Sequence, residues 1–156
     1  MSEGAGAAGG EVSGGLAASH VGICVADLEA SIRFYRDGLG YALAERFDLG
    51  TSQMPGIERS LEVDGPVDVV SQMMVLGGHR IELLYYPDGR AHGIPSATRD
   101  QKGLTHLSYR THDVDSVAAQ MVACGGTVLE NTRTNVGIQL LFLADPDGTR
   151  IELMGA

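Results

Sequence analysis

The sequence has few cysteines, the residues whose disulfides stabilise small secreted proteins. It also lacks the long apolar runs that anchor membrane proteins. Of its 156 residues only two are cysteine, Cys24 and Cys124, and none is tryptophan. These cysteines lie far apart and outside any CxxC pair, which excludes a disulfide framework or a cysteine zinc motif and favours reduced thiols in a cytoplasmic protein. No apolar run approaches the roughly 18 to 20 residues that a membrane-spanning helix needs.

Positive charge is also scarce. The chain has 11 Lys and Arg residues against 20 Asp and Glu residues, so its formal net charge is −9. This balance argues against a nucleic-acid-binding surface and against an anionic membrane surface. We therefore expect a small-molecule substrate, and any anionic part of it must be held by local positive charge or by a metal ion.

The first 18 residues lack the pattern of a secretory signal, because they have no basic start and glycines interrupt their apolar content. We expect a disordered Gly/Ala-rich tail over residues 1–18. Residues 19–156 are long enough for one domain with a proper core, or for two small repeated units that share one.

The chain does contain a repeat, with an offset of 86 residues. One unit starts at His20 with a short strand, after which Asp27 is the predicted N-cap of a helix. The same unit starts again at His106, and there Asp113 or Asp115 is the predicted cap. Glycines end both helices, and the alignment needs no gap.

Each half of the chain reads as βαβββ, because strand candidates follow both helices. They cover residues 41–49, 68–76 and 80–86 in the first half, and residues 127–132, 138–144 and 150–154 in the second. We predict an α+β fold of paired βαβββ modules that form a curved mixed sheet with a cleft: module one over 19–86, a linker over 87–102 and module two over 103–156. Edge-to-edge packing is expected because a lone unit leaves an unpaired edge.

An extra stretch, residues 50–66, separates the second and third strands of the first half only. It is expected to be a lid, a determinant of substrate size or a dimer contact, since loops often carry such roles.

Strand alternation places two histidines and two glutamates on the cleft side of the predicted sheet. They are His20, Glu82, His106 and Glu152, and both glutamates stand in a repeated Arg-Ile-Glu-Leu run among core-type residues. An unpaired buried carboxylate costs several kcal/mol, so each needs a partner. A glutamate between apolar neighbours is often just the solvent face of an edge strand. The recurrence in both halves favours instead one divalent cation (Ni, Co, Zn, Fe or Mn) with these four residues as ligands.

Four segments resemble the vicinal oxygen chelate superfamily, which includes glyoxalases, bleomycin resistance proteins and extradiol dioxygenases. They are HVGICVADLEASIRFYRDGLGY, HRIELLYY, GLTHLSYRTHDVD and FLADPDGTRIELM, and the resemblance covers residues 19–156. It implies that the four predicted ligands match the superfamily's metal positions one for one. It also implies a metal-dependent enzyme that stabilises an enolate or enediolate next to a metal-bound carbonyl.

Among enzymes of this type the sequence favours an isomerase resembling methylmalonyl-CoA epimerase. Glutathione-using glyoxalases commonly carry an arginine four positions after the first ligand, where this chain has Cys24. A glyoxalase I-type lactoylglutathione lyase remains the first alternative. A non-haem iron extradiol dioxygenase, which uses two histidines and one carboxylate, is disfavoured by Glu82. A metal-free antibiotic-binding protein is disfavoured by the complete ligand set.

Roles for individual residues follow from the same resemblance. We predict Glu152 as the base that takes the substrate proton and Glu82 as the residue that returns or relays it, and the reverse assignment stays open. Arg110 and Arg150 have cleft-side parity and are predicted to bind a carboxylate, a phosphate or a thioester-linked tail, although both could simply lie at the cleft rim. A homodimer is expected, and the cleft is completed either within one chain or by exchange of modules between two.

Overall fold

The computed structural model describes residues 14–155, which contain eight strands and three α-helices in the order of the repeat. The first 13 residues of the predicted tail lie outside the described residues. The elements are β1 (Val21–Val25), α1 (Leu28–Arg33), β2 (Ala42–Gly50), α2 (Ile57–Ser60), β3 (Asp68–Leu76), β4 (His79–Tyr85), β5 (Leu107–Thr111), α3 (Val114–Ala123), β6 (Thr127–Asn135), β7 (Gln139–Ala144) and β8 (Arg150–Gly155). None of the helices within residues 14–155 is long and apolar enough to cross a membrane.

Each half forms a four-stranded mixed sheet, which confirms the two βαβββ modules. The strand orders are β1-β4-β3-β2 and β5-β8-β7-β6. In both sheets the first strand runs parallel to its neighbour, and the other pairs are antiparallel.

The two sheets are separate within the described chain, because no backbone ladder joins β1 to β5. A cavity of about 380 Å³ lies where these two edge strands approach each other. Pro95 and Leu104 of the linker line this cavity together with residues of both strands. The linker therefore lies beside the edge strands of both sheets.

Helices α1 and α3 begin directly after predicted N-cap aspartates. The Asp27 side chain accepts a hydrogen bond from the backbone N–H of Ala30 at 3.0 Å, and that of Asp113 accepts one from Ser116 at 2.9 Å. Asp113, rather than Asp115, is therefore the cap of α3. These bonds satisfy backbone donors that the first turn of a helix leaves unpaired.

One core joins the two modules through their helices. A π-helical segment, Phe34–Gly38, extends α1 and packs against α3. Phe34 and Met121 are fully buried in this core, and Gly126 leaves room for the Phe34 ring, which a Cβ at that position would approach to 2.7 Å. Because the helix-facing sides of both sheets fill this core, the faces that carry the predicted ligands lie on the opposite sides of the sheets.

The buried Asp145 connects the π-helical segment Phe34–Gly38 to the turn before β8 through hydrogen bonds. Tyr35 donates its hydroxyl to Asp145 Oδ2 at 2.9 Å, while Asp145 Oδ1 accepts from the backbone N–H groups of Asp147 and Thr149 at 3.0 and 2.7 Å. Both Tyr35 and Asp145 are buried. Burial raises the pKa of Asp145, although these hydrogen bonds act in the opposite direction.

Asp145→Asn is expected to change how stability depends on pH. Because its pKa is raised on folding, Asp145 keeps its proton to higher pH in the folded protein than in the unfolded chain. The folded state then binds more protons in that window, so stability falls as pH rises through it, by about 1.4 kcal/mol per unit of pKa difference. Urea unfolding from pH 4 to 7 should show this decline in the wild type relative to Asp145→Asn. A constant difference between the two proteins at every pH would contradict it.

Candidate metal centre

The first predicted pair of ligands forms in module one. His20 immediately precedes β1, and Glu82 lies on β4, where its register partner in β1 is Gly22. Nε2 of His20 is 3.1 Å from Oε2 of Glu82, and their side chains are 34% and 19% exposed. Gly22 leaves space above the carboxylate, since a Cβ there would be 3.7 Å from Oε2. Strand alternation predicted that His20 and Glu82 share the cleft side of the sheet, and in the structure the two side chains contact each other.

The second predicted pair forms at the equivalent place in module two. His106 precedes β5, and Glu152 lies on β8 opposite Ser108. Nε2 of His106 is 3.4 Å from Oε2 of Glu152, with side-chain exposures of 29% and 16%. Both glutamates are thus largely shielded from water while a histidine nitrogen stands beside one oxygen of each.

Neighbouring hydroxyl groups orient both histidines in the same way. A hydrogen bond joins Ser19 Oγ to Nδ1 of His20 at 2.9 Å, and another joins Thr105 Oγ1 to Nδ1 of His106 at 2.8 Å. In each ring Nδ1 is therefore occupied, and Nε2 points to the glutamate. Metal-binding histidines are usually held by such a bond on the nitrogen that does not bind the ion.

Hydroxyl groups also hold both carboxylates. Ser71 Oγ donates to Oε1 of Glu82 at 2.5 Å, and Ser108 Oγ donates to Oε2 of Glu152 at 2.6 Å. In Glu82 the serine and the histidine face different oxygens, whereas in Glu152 they face the same oxygen. Among the described residues, Oε1 of Glu152 accepts no hydrogen bond.

The donor atoms fit a borderline divalent cation. Ligands about 2.1 Å from one ion stand about 3.0 Å apart at a right angle and about 3.4 Å apart in a tetrahedron, and the two pairs measure 3.1 and 3.4 Å. The structure does not gather all four residues, however, because residues 14–155 contain no group of three or more His, Cys, Asp or Glu side chains able to hold an ion. Each chain therefore carries two half-sets of ligands, which are His20 with Glu82 and His106 with Glu152.

The stretch of residues 50–66 builds a wall beside the first pair. A largely apolar cavity of about 450 Å³ contains His20 and Glu82, and Ile57 and Leu61 from this stretch line it. Both residues pack against a small buried cluster around Val69. The stretch therefore bounds the space next to the first pair.

An aromatic ring contacts the second pair, and two arginines line a cavity on the other side of that ring. Phe142 lies edge-to-face with the His106 ring at a centroid distance of 5.3 Å, and the Arg99 guanidinium lies 5.6 Å from the Phe142 centroid. Arg150 lines the same cavity as Arg99 and Phe142. Arg110, by contrast, is exposed on β5 and lines neither this cavity nor the one beside the first pair.

Sequence reasoning missed Arg99. It lies in the Pro- and Gly-rich linker, where no strand or helix periodicity indicates the direction of a side chain. The only signal available was that it is one of 11 basic residues in an acidic chain.

The other three histidines form no contact with either pair among the contacts of the described residues, although His79 lines the cavity between β1 and β5 together with His106. His79 Nδ1 shares a hydrogen bond with the Tyr41 hydroxyl at 2.5 Å, and Tyr41 also bonds the Tyr109 hydroxyl across the modules at 2.8 Å. His92 lines a cavity next to Cys24 at the end of β1, and His112 is exposed.

Comparisons with known proteins agree in both sequence and fold. The sequence profile of the Glyoxalase/Bleomycin resistance protein/Dioxygenase superfamily matches residues 17–153. A lactoylglutathione lyase from Haemophilus influenzae is 29% identical over 143 residues, which are 86% of this chain and 89% of that protein.

Two solved structures share the fold at lower identity. A glyoxalase family protein from Bacillus cereus superimposes with a TM-score of 0.73 at 22% identity, covering 90% of this chain and 93% of that one. The trypanothione-dependent glyoxalase I of Leishmania major superimposes with a TM-score of 0.60 at 21% identity, covering 87% and 84%.

Proposed function

Because the chain belongs to the Glyoxalase/Bleomycin resistance protein/Dioxygenase superfamily, we propose that it is a divalent-metal-dependent enzyme that moves a proton on the carbon next to a carbonyl. The reaction is of the epimerase or isomerase type, resembling methylmalonyl-CoA epimerase. The repeated His–Glu pair carries this proposal. In both modules a hydroxyl fixes the histidine, another fixes the glutamate, and the two donor atoms face each other at 3.1 and 3.4 Å.

The ion would be held by His20, Glu82, His106 and Glu152. Nickel, cobalt, zinc, iron and manganese all accept such a mixture of imidazole and carboxylate ligands. When bound, the cation supplies a Lewis acid that stabilises negative charge developing on the substrate oxygen. The rest of the chemistry belongs to the chain's own side chains.

Glu152 is the proposed base. Its Oε2 faces both His106 and the Ser108 hydroxyl, while Oε1 has no hydrogen-bond donor among the described residues. That free oxygen can take the proton from the substrate carbon, and the Ser108 contact keeps the carboxylate in place as it does so. Glu82, whose oxygens are divided between Ser71 and His20, returns the proton in the proposed scheme.

A homodimer would complete the site. One chain carries two half-sets that do not meet within residues 14–155, and a two-fold axis can bring module one of each chain to module two of the other. Such a pairing creates two equivalent sites with four ligands each. The free thiols of Cys24 and Cys124 are compatible with the proposed cytoplasmic location.

Cys24 favours an isomerase over a glutathione-dependent lyase. It occupies the position where the resemblance to glyoxalases places an arginine for a glutathione carboxylate. A cysteine side chain is neutral as a thiol and negative as a thiolate, so it cannot supply the positive charge of that arginine. A lactoylglutathione lyase activity is the second candidate, and it is supported by the 29% identical relative of that name.

Deuterium exchange tests the proposal and separates the two candidates. In heavy water the metal-loaded protein is expected to introduce deuterium at the α-carbon of an acyl-CoA such as methylmalonyl-CoA. Dialysis against a chelator should stop the exchange, and added divalent metal should restore it. If the loaded protein instead consumes only the glutathione hemithioacetal of methylglyoxal, the lyase is the correct assignment. Failure with both substrate classes would overturn the proposed proton transfer.

A further inference from the structure

Two arginine side chains share one cavity without an acidic partner. Arg99 and Arg150 both line a cavity of about 370 Å³ beside the second His–Glu pair, and its lining contains no aspartate or glutamate. Neither guanidinium forms an ion pair within residues 14–155, whereas Arg36, Arg46 and Arg133 do. Arg110 also lacks an ion pair within the described residues, but Arg99 and Arg150 differ from it because they share one cavity.

Backbone carbonyl groups hold both guanidinium groups in place. Arg99 donates to the carbonyl oxygens of Thr105 and Ser96, the latter at 2.6 Å. Arg150 donates to the carbonyl oxygens of Gly148 at 2.8 Å and Ala97 at 3.4 Å. Each guanidinium has five N–H donors, so these contacts fix its position and leave donors for another acceptor.

The two guanidinium charges repel each other. Burial and the Arg150 charge lower the pKa of Arg99, which means that the surroundings disfavour its charged form. An anion between the two guanidinium groups would offset this repulsion. It would also accept charge-assisted hydrogen bonds in a geometry that matches a carboxylate or phosphate group.

We propose that Arg99 and Arg150 bind an oxyanion, carboxylate or phosphate, that forms one end of the substrate. The inference deepens the proposed function, on which it rests in assigning the anion to the substrate. Phe142 connects this site to the metal centre, because its ring contacts both the Arg99 guanidinium and the His106 ring. The substrate is thus a small organic acid or phosphate ester whose anionic end lies one aromatic ring away from the second ligand pair.

The apolar and polar walls of the cavity agree with such a substrate. Leu129 and Leu140 offer contact area for a short carbon chain, while Asn131 and Thr134 offer further polar groups. The cavity beside the first pair is largely apolar. The anionic end of the substrate is therefore directed to module two.

Anion binding can be measured on the metal-free protein by NMR, with inorganic phosphate and propionate as separate probes. We expect saturable shifts of the Arg99 and Arg150 Nε–H signals and of the Phe142 amide, with a Kd in the millimolar range. The probe that binds with the lower Kd identifies the class of anion, phosphate or carboxylate. Arg150→Gln should weaken binding roughly tenfold or more, because it removes a charge-assisted contact. Arg46→Gln, in module one and paired with Asp48, should leave binding unchanged.

Arg99 needs a second variant, because it also fixes the linker. Arg99→Gln removes the charge, whereas Arg99→Lys keeps the charge and loses the planar fork; thermal melting establishes that each is folded. Weaker binding in Arg99→Gln than in Arg99→Lys supports the proposal. Absence of saturable shifts in the wild type up to about 50 mM of either probe, or unchanged binding in the Arg150→Gln variant, would overturn it. Since no metal or turnover enters the measurement, its failure leaves the proton-transfer proposal to be judged by deuterium exchange alone.

Discussion

Glu152→Gln is expected to lower kcat by about 10²- to 10⁴-fold, the usual contribution of a positioned general base, while the protein stays folded. Glutamine has nearly the same volume, and its amide oxygen can still accept the hydrogen bond that Ser108 gives to the carboxylate at 2.6 Å. It cannot take a proton, and it is a weaker ligand for a divalent cation. Both effects reduce turnover without removing a core contact.

Glu82→Gln is expected to lose metal as well as activity. Its Oε2 faces His20 Nε2 at 3.1 Å, and replacing that oxygen with a neutral amide removes one of the two carboxylates that neutralise the ion. The measurements are deuterium exchange, metal content by elemental analysis and thermal melting, all on the same preparations. Glu130→Gln is the control, because Glu130 is exposed and paired with Arg133 on the surface. Unchanged exchange in both active-site variants would contradict the proposed roles.

Much of the fold follows from periodicity and capping, which depend on short stretches of chain. Alternation along residues 80–84 and 150–154 correctly placed Ile81 and Ile151 in the core, where both are fully buried. Asp27 was the expected cap because a short carboxylate can reach a free N–H in the first turn. Such features need only neighbouring residues.

The relation between the modules could not be derived in the same way. Strand parity assigns a side chain to one face of its own sheet, and it says nothing about where a second sheet lies. Parity could therefore place His20 with Glu82, and His106 with Glu152, on one face of a sheet, and the structure adds their contacts. Whether the two pairs meet depends on the linker and on the packing of Phe34 against Gly126, which are long-range features.

The position of Arg99 also depends on a long-range contact that a local sequence pattern cannot reveal. Its position is set by carbonyl groups of Ser96 and Thr105 and by the Phe142 ring, and the ring comes from a strand more than forty residues later. The residues next to Arg99 in the sequence do not indicate that contact. Arg150 lies on a strand, so parity could assign it to the cleft side, but parity made the same assignment for Arg110, which lines neither cavity.

Subunit mixing tests most directly the central claim that two half-sets from two chains form one active site. His20→Ala and His106→Ala are expected to be inactive alone. After exchange of subunits in a 1:1 mixture, about half of the dimers are mixed, and each mixed dimer has one intact site. About one quarter of wild-type activity should therefore return. A mixture of His20→Ala with Glu82→Gln, both altered in module one, should recover none.

The predicted result is thus recovery in the first mixture and not in the second, with subunit exchange verified by mass spectrometry of the native dimers. Absence of recovery in the first mixture, despite demonstrated exchange, would contradict a site shared between chains.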